Sequence, residues 1–243
     1  MSDQQRTADL EPVPEDWERA LAVVAHPDDL EYGASGAIAR WTSQGKHVAY
    51  VLASQGEAGI DTLSPEETGP LRVREQIASA AVVGVDVVEF LDHPDGVIEY
   101  GLPLRRDIAA AIRRHRPEVV ITGNHHPTFP GGFLNMADHR VVGQAVIDAV
   151  RDAANRWVFR DLDQEPWGGV RFVAVSGSPH AGHAVDLTDT FDLGVASLRE
   201  HKAYLAALSG DMADPEVFLR EAAERTGARF GGRLAAAFEV LVM

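Results

Sequence analysis

Five consecutive residues, Ala25-His26-Pro27-Asp28-Asp29, put an imidazole and two carboxylates within four positions, enough to supply metal ligands and a base together. In a tight turn His26 and Asp29 can converge on one ion, while Pro27 stiffens the link and Asp28 is left for proton transfer. The same residues also fit a plainer description, in which Asp28 or Asp29 caps the next helix and His26 packs at a strand end. Further ionisable candidates lie far away in sequence: Glu57, Asp95, His125, His126, Asp138-His139 and His183. Whether they join the first cluster depends on the elements that carry them.

Those elements read as strands alternating with helices. The apolar run Leu21-Ala22-Val23-Val24 stops at Ala25-His26, as the carboxyl end of a buried parallel strand does. Helical spacing covers residues 33–44, and Gly33 with Gly36 fit close helix packing better than a nucleotide loop, since the full glycine fingerprint is missing. Strands are expected at 47–53, 85–91, 119–123 and 170–176, with a short strand at 185–189 and an apolar terminal segment at 234–243. Helices are expected at 71–83, 104–115, 140–150, 191–208 and 215–226, and surface loops at 61–70 and 128–134. Residues 1–18, with Pro12 and Pro14 and many charges, read as a flexible arm ahead of a single domain at 19–243. No repeat or low-complexity tract interrupts it.

This alternation predicts an α/β fold, Rossmann-like and doubly wound, with a mostly parallel sheet covered by helices on both faces. In such a sheet the loops after successive strands share one edge, so His26, Asp28, Asp29, Glu57, Asp95, His125, His126 and His139 become neighbours. A catalytic zinc takes three protein ligands plus one open position, and His26, Asp29 and His139 would supply two nitrogens and a carboxylate. Asp28 would accept a proton from water and return it to a leaving amine. Asp138, near the start of the helix that carries His139, would cap that helix or orient a ligand histidine. Arg72 and Glu75 fall one helical turn apart, as a solvated ion pair or with Arg72 aimed into the mouth of the site.

Composition narrows the partners. With 22 Lys and Arg against 37 Asp and Glu the formal charge is −15, which disfavours nucleic acid and anionic membranes. The absence of cysteine rules out disulfides and thiolate metal sites, so a transition metal must use His and carboxylate. No apolar stretch is long enough to span a bilayer and the first residues are polar, so no membrane insertion and a cytoplasmic location are the expectation.

On Ala25-His26-Pro27-Asp28-Asp29 with Glu31 and Gly33, the chain resembles the PIG-L/LmbE-like zinc-dependent de-N-acetylase family. Weaker agreement runs through Gly56-Glu57-Ala58-Gly59, Arg72 with Glu75, Pro94-Asp95-Gly96, Asp138-His139 and Val185-Asp186. The family includes N-acetylglucosaminyl-phosphatidylinositol, N-acetylglucosaminyl-inositol and antibiotic-sugar deacetylases. The resemblance implies Zn2+, or another divalent ion, on His26, Asp29 and His139, Asp28 as general base, and sugar contacts from Arg72 and Asp95. Glu57, His125 and His126 are further candidates for substrate contact. An N-acetylated amino sugar is the implied partner, and a homo-oligomer is compatible with the reading. Amidase action on a larger conjugate, or metal and sugar binding without catalysis, are the alternatives. One departure stands out: the family's second motif commonly reads His-x-Asp-His, and Met136 holds the place of its first histidine, an oxyanion donor. A thioether has no hydrogen to donate, so Asn135, His125, His126 or His183 would have to supply one, or the metal would act alone.

Overall fold

The computed structural model describes residues 9–243. Strands β1 (Glu11–Pro12), β2 (Arg19–Val24), β3 (His47–Leu52), β4 (Val87–Phe90), β5 (Val119–Thr122), β6 (Phe172–Ser176), β7 (His183–Asp186) and β8 (Ala235–Val242) form one sheet in the order β1-β7-β8-β6-β5-β2-β3-β4. The pairings are parallel except those of β8, which runs antiparallel between β6 and β7. From β2 the chain builds outward through β3 and β4, then returns to the other side of β2 with β5. That reversal opens a crevice at the carboxyl ends of β2 and β5, the expected place for a ligand in such a sheet.

Helices cover both faces, as the α/β reading predicts. On one face α1 (Ser35–Ser43), α2 (Pro65–Val82) and α5 (Phe191–Arg199) pack around Ile38, Trp41, Ala80 and Val195. On the other, α3 (Leu102–His115) and α4 (Ala137–Ala154) contribute Leu104, Ile108, Ile112, Val142 and Val146. The period of two is visible in β2: Ala20, Ala22 and Val24 face the first core, Leu21 and Val23 the second. Burial on both faces is why this strand reads as a continuous apolar run rather than an alternating one. Two further helices, α6 (Lys202–Ala207) and α7 (Pro215–Gly227), follow α5. Among the described residues no helix is long and apolar enough to cross a membrane.

Three sequence expectations are corrected. Residues 1–8 of the expected arm lie outside the described residues, but residues 9–18 are docked on the domain. Glu11 and Pro12 pair with β7, Leu10, Val13 and Trp17 are buried, and Glu15 receives bonds from Arg40 and Trp41. Trp17 is held by Nε1 donation to the Pro14 carbonyl at 2.9 Å and meets the Trp41 ring edge-on at 5.3 Å. Trp17→Ala is therefore expected to cost about 3–5 kcal/mol of unfolding free energy in a urea titration, where a loose arm would show no change.

Helix α2 starts at Pro65, six residues before the expected start. Pro65 occupies the first helical position and Glu67 accepts the Ser64 N–H at 3.3 Å, which together close the first turn. Pro70 lies inside that helix and costs it one backbone bond. The expected helix at 191–208 breaks into α5 and α6 around the fully buried His201, whose Nε2 lies 3.7 Å from Glu31 Oε2.

Candidate active site

The turn after β2 is folded around the Asp29 carboxylate. Asp29 Oδ2 accepts the N–H groups of Ala25 at 3.0 Å and His26 at 2.9 Å, which leaves Oδ1 facing outward from the turn. There it lies 3.0 Å from His139 Nε2 and 3.7 Å from His26 Nδ1. Ligand atoms of His26, Asp29 and His139 all fall within 4.8 Å of one another. His139 reaches this point because α4 begins at the mouth of the crevice, one turn after Asn135.

The opposite ring nitrogens are also fixed. His139 Nδ1 lies 3.0 Å from Asn135 Oδ1, and His26 Nε2 lies 3.0 Å from Asp95 Oδ1 and 3.3 Å from Asp138 Oδ2. Such partners set ring orientation and tautomer in metal-binding histidines. Asp138 therefore serves His26, not the adjacent His139, and also accepts the N–H groups of Gly96 at 2.7 Å and Ile98 at 3.2 Å. The residue at the cap position of α4 is Met136. Burial opposes charge on the His26 ring, but the carboxylates of Asp29, Asp138 and Asp95 outweigh it and push its pKa up to about 12. Burial likewise works against ionised Asp29, yet His139 and His26 hold its carboxyl well below the usual range.

Asp28 is built differently. Its backbone sits at φ +84°, a left-handed conformation that Asp tolerates better than most side chains. Gln76 Oε1 accepts its N–H at 3.0 Å, and its carbonyl receives the N–H groups of Glu31 at 2.9 Å and Tyr32 at 3.1 Å. The side chain is buried and Oδ1 accepts from Arg72 Nη2 at 2.5 Å. Burial raises its pKa to about 6 against the pull of the guanidinium, with the neighbouring Asp29 adding to the rise.

Arg72 is the main correction to the sequence-based site. It is 2 % exposed, so it does not point into the mouth. Nη2 also donates to the Pro27 carbonyl at 2.6 Å, Nη1 donates to Gly56 at 3.2 Å, and the guanidinium lies 4.2 Å from the Tyr204 ring centroid. The glycines of the 56–59 loop make room for it: a Cβ on Gly56 or Gly59 would fall 2.4 or 2.3 Å from Nη1. Glu75 turns elsewhere and accepts the Ala203 N–H at 2.6 Å. Asp95 is likewise not a free sugar contact, since Oδ1 faces His26 and Oδ2 accepts the Ala58 N–H at 2.8 Å. Glu57 accepts the N–H groups of Asp95 at 2.9 Å and Gln55 at 3.2 Å, tying the two loops together.

The nominated oxyanion donors also separate. Asn135 Nδ2 is committed to the carbonyls of Asn124 at 2.6 Å and His126 at 2.9 Å. His183 lies on β7, four strands from β2 and so about 19 Å across the sheet. His125 and His126 turn toward Glu239 on β8 instead of joining His26.

Gln76, Glu31 and His201 were missed as supports. Gln76 Nε2 and Ser79 Oγ donate to Glu31 Oε1 at 2.9 and 2.8 Å, forming a buried shelf beneath Asp28. A signal for Gln76 exists, because it follows Arg72 by four positions and so shares its helix face.

Comparison with known proteins agrees with this fold. The PIG-L family model, described as GlcNAc-PI de-N-acetylase, matches residues 21–150, and the chain belongs to that family. The resemblance read from the His26 motif is thereby confirmed. The chain is 28% identical to a diacetylchitobiose deacetylase of Thermococcus kodakarensis, over 90% of this chain and 82% of the relative. It is 25% identical to a 1D-myo-inositol 2-acetamido-2-deoxy-alpha-D-glucopyranoside deacetylase of Mycobacterium sp. (strain KMS), over 81% of this chain and 80% of the relative. Among solved structures it is similar to the N,N'-diacetylchitobiose deacetylase of Pyrococcus horikoshii, with a TM-score of 0.84, 25% identity, and coverage of 94% of this chain and 85% of that one.

Proposed function

We propose that the chain hydrolyses the acetamide of an N-acetylated amino sugar, with His26, Asp29 and His139 holding a divalent ion, Zn2+ first among them, and Asp28 acting as general base. The observation that carries this reading is the convergence of two imidazole nitrogens and one carboxylate oxygen beside a second, buried carboxylate. The donor set fits a borderline first-row ion, with two nitrogens and an oxygen, and with the far side of each ring already bonded. Its relatives support the substrate class, since deacetylation of a glucosamine unit is common to their names.

The ion supplies, when bound, a Lewis acid for the acetamide carbonyl and a lowered pKa for water. Asp28 Oδ1 is taken by Arg72, so Oδ2 is the oxygen that accepts a proton from the attacking water. The same oxygen then delivers that proton to the amine nitrogen as the C–N bond breaks, leaving acetate and a free amino sugar. A pKa raised toward neutrality suits a group that must both take and give a proton.

The test is acetate release from N,N'-diacetylchitobiose and from a glucosaminyl-inositol acetamide by chelator-stripped and Zn2+-restored protein. Activity on at least one of the two substrates, lost on stripping and recovered on restoring Zn2+, is expected. Equal turnover with and without metal would refute the proposal.

A further inference from the structure

A second group of ligating side chains gathers over β6 and β8, one strand beyond the first. His125 and His126 leave the end of β5, His180 follows β6, and Glu239 sits on β8 opposite Val175. His126 Nε2 lies 2.8 Å from Glu239 Oε2, and that oxygen also accepts from Ser178 Oγ at 2.6 Å. The His125 and His126 rings lie with centroids 4.0 Å apart, and His180 meets His126 edge-on at 4.6 Å. One ligand atom each from His125, His126 and Glu239 falls within 4.8 Å of the others.

The hydrogen bond between His126 and Glu239 accounts for one imidazole only. His125 Nδ1 is buried without a hydrogen-bond partner, although it lies beside a second imidazole and a carboxylate. A buried polar atom left so needs a reason, and a cation shared with its neighbours is one. We propose that His125, His126 and Glu239 form a second divalent-cation site, distinct from the His26 set and open to Zn2+, Co2+ or Ni2+. Two nitrogens to one oxygen select such ions over Mg2+ and Ca2+, which take oxygen ligands.

The site also touches the first one through a short chain of bonds. Asn135 Nδ2 holds the carbonyls of Asn124 and His126, and its Oδ1 faces His139 Nδ1. An ion that fixes His126 therefore braces the backbone that orients His139.

The experiment uses an Asp29→Asn/His139→Ala variant, which removes the first site, titrated with Co2+ alone and followed by visible absorption and calorimetry. One ion per chain is expected to remain. Adding His126→Ala or Glu239→Gln to that variant is expected to weaken Co2+ binding at least about tenfold, with circular dichroism confirming the fold. Glu239→Gln keeps side-chain shape and decides the matter should His126→Ala not fold. A folded Asp29→Asn/His139→Ala protein that binds no ion, or binding unmoved by Glu239→Gln, would overturn the proposal. Failure of the first site reads differently: wild type and the Asp29→Asn/His139→Ala variant would then bind the same number of ions.

Discussion

Asp28→Asn is expected to lower kcat by about 10²- to 10⁴-fold while leaving the metal content of the protein unchanged. The amide keeps the size and planarity of the carboxylate but cannot take up a proton at the free oxygen. The Gln76 carbonyl still receives the residue 28 N–H, so the turn that presents His26 and Asp29 keeps its anchor. Arg72 loses its charge partner yet retains the Pro27 and Gly56 carbonyls and the Tyr204 ring. The check is turnover of an N-acetylated amino sugar set beside metal analysis of the same preparation. Near-normal kcat with full metal would remove Asp28 from the role of base.

Arg72→Ala is expected to destabilise the fold by about 3–5 kcal/mol, because it leaves the buried Asp28 without its cation and the carbonyls of Pro27 and Gly56 without a donor. A urea titration reads this directly. The accompanying loss of activity is expected in kcat, since the base and its turn are disturbed, with KM little changed. A raised KM at unchanged stability would instead restore Arg72 to the sugar-binding role that the family resemblance implies.

The contrast between these two residues shows what could be read from sequence. His26, Asp28 and Asp29 announce themselves because they follow a strand that a run of small and β-branched residues makes obvious, and His139 stands in the first turn of a helix that follows another such strand, the topology bringing both to one edge. Arg72 does not, because α2 carries Arg72, Arg74, Glu75 and Gln76 in close succession, and a polar stretch of helix does not reveal which side chain turns inward. The buried partner that draws it in, Asp28, is 44 positions away. Asn135 was legible as a polar residue near the site but not as the partner of His139, which depends on a loop that turns its amide nitrogen onto two carbonyls.

The N-terminal segment failed for another reason. Pro12, Pro14 and surrounding charges mask the apolar Leu10, Val13 and Trp17, and a strand of two residues has too little pattern to detect. The antiparallel β8 was visible only as an apolar run, since its place between β6 and β7 is decided by contacts across the sheet. The alternation of β2 between two cores, in contrast, follows from composition alone: every residue from Ala20 to Val24 is apolar, and both faces are covered.

The most direct test of the account is an anomalous-difference map from crystals of the Zn2+-loaded protein, collected on either side of the zinc edge. The account predicts a peak bounded by His26 Nδ1, Asp29 Oδ1 and His139 Nε2, with Asp28 beside it but bonded to Arg72. No peak among those three atoms at full zinc loading, or a peak ligated by Asp28 in place of Asp29, would contradict it.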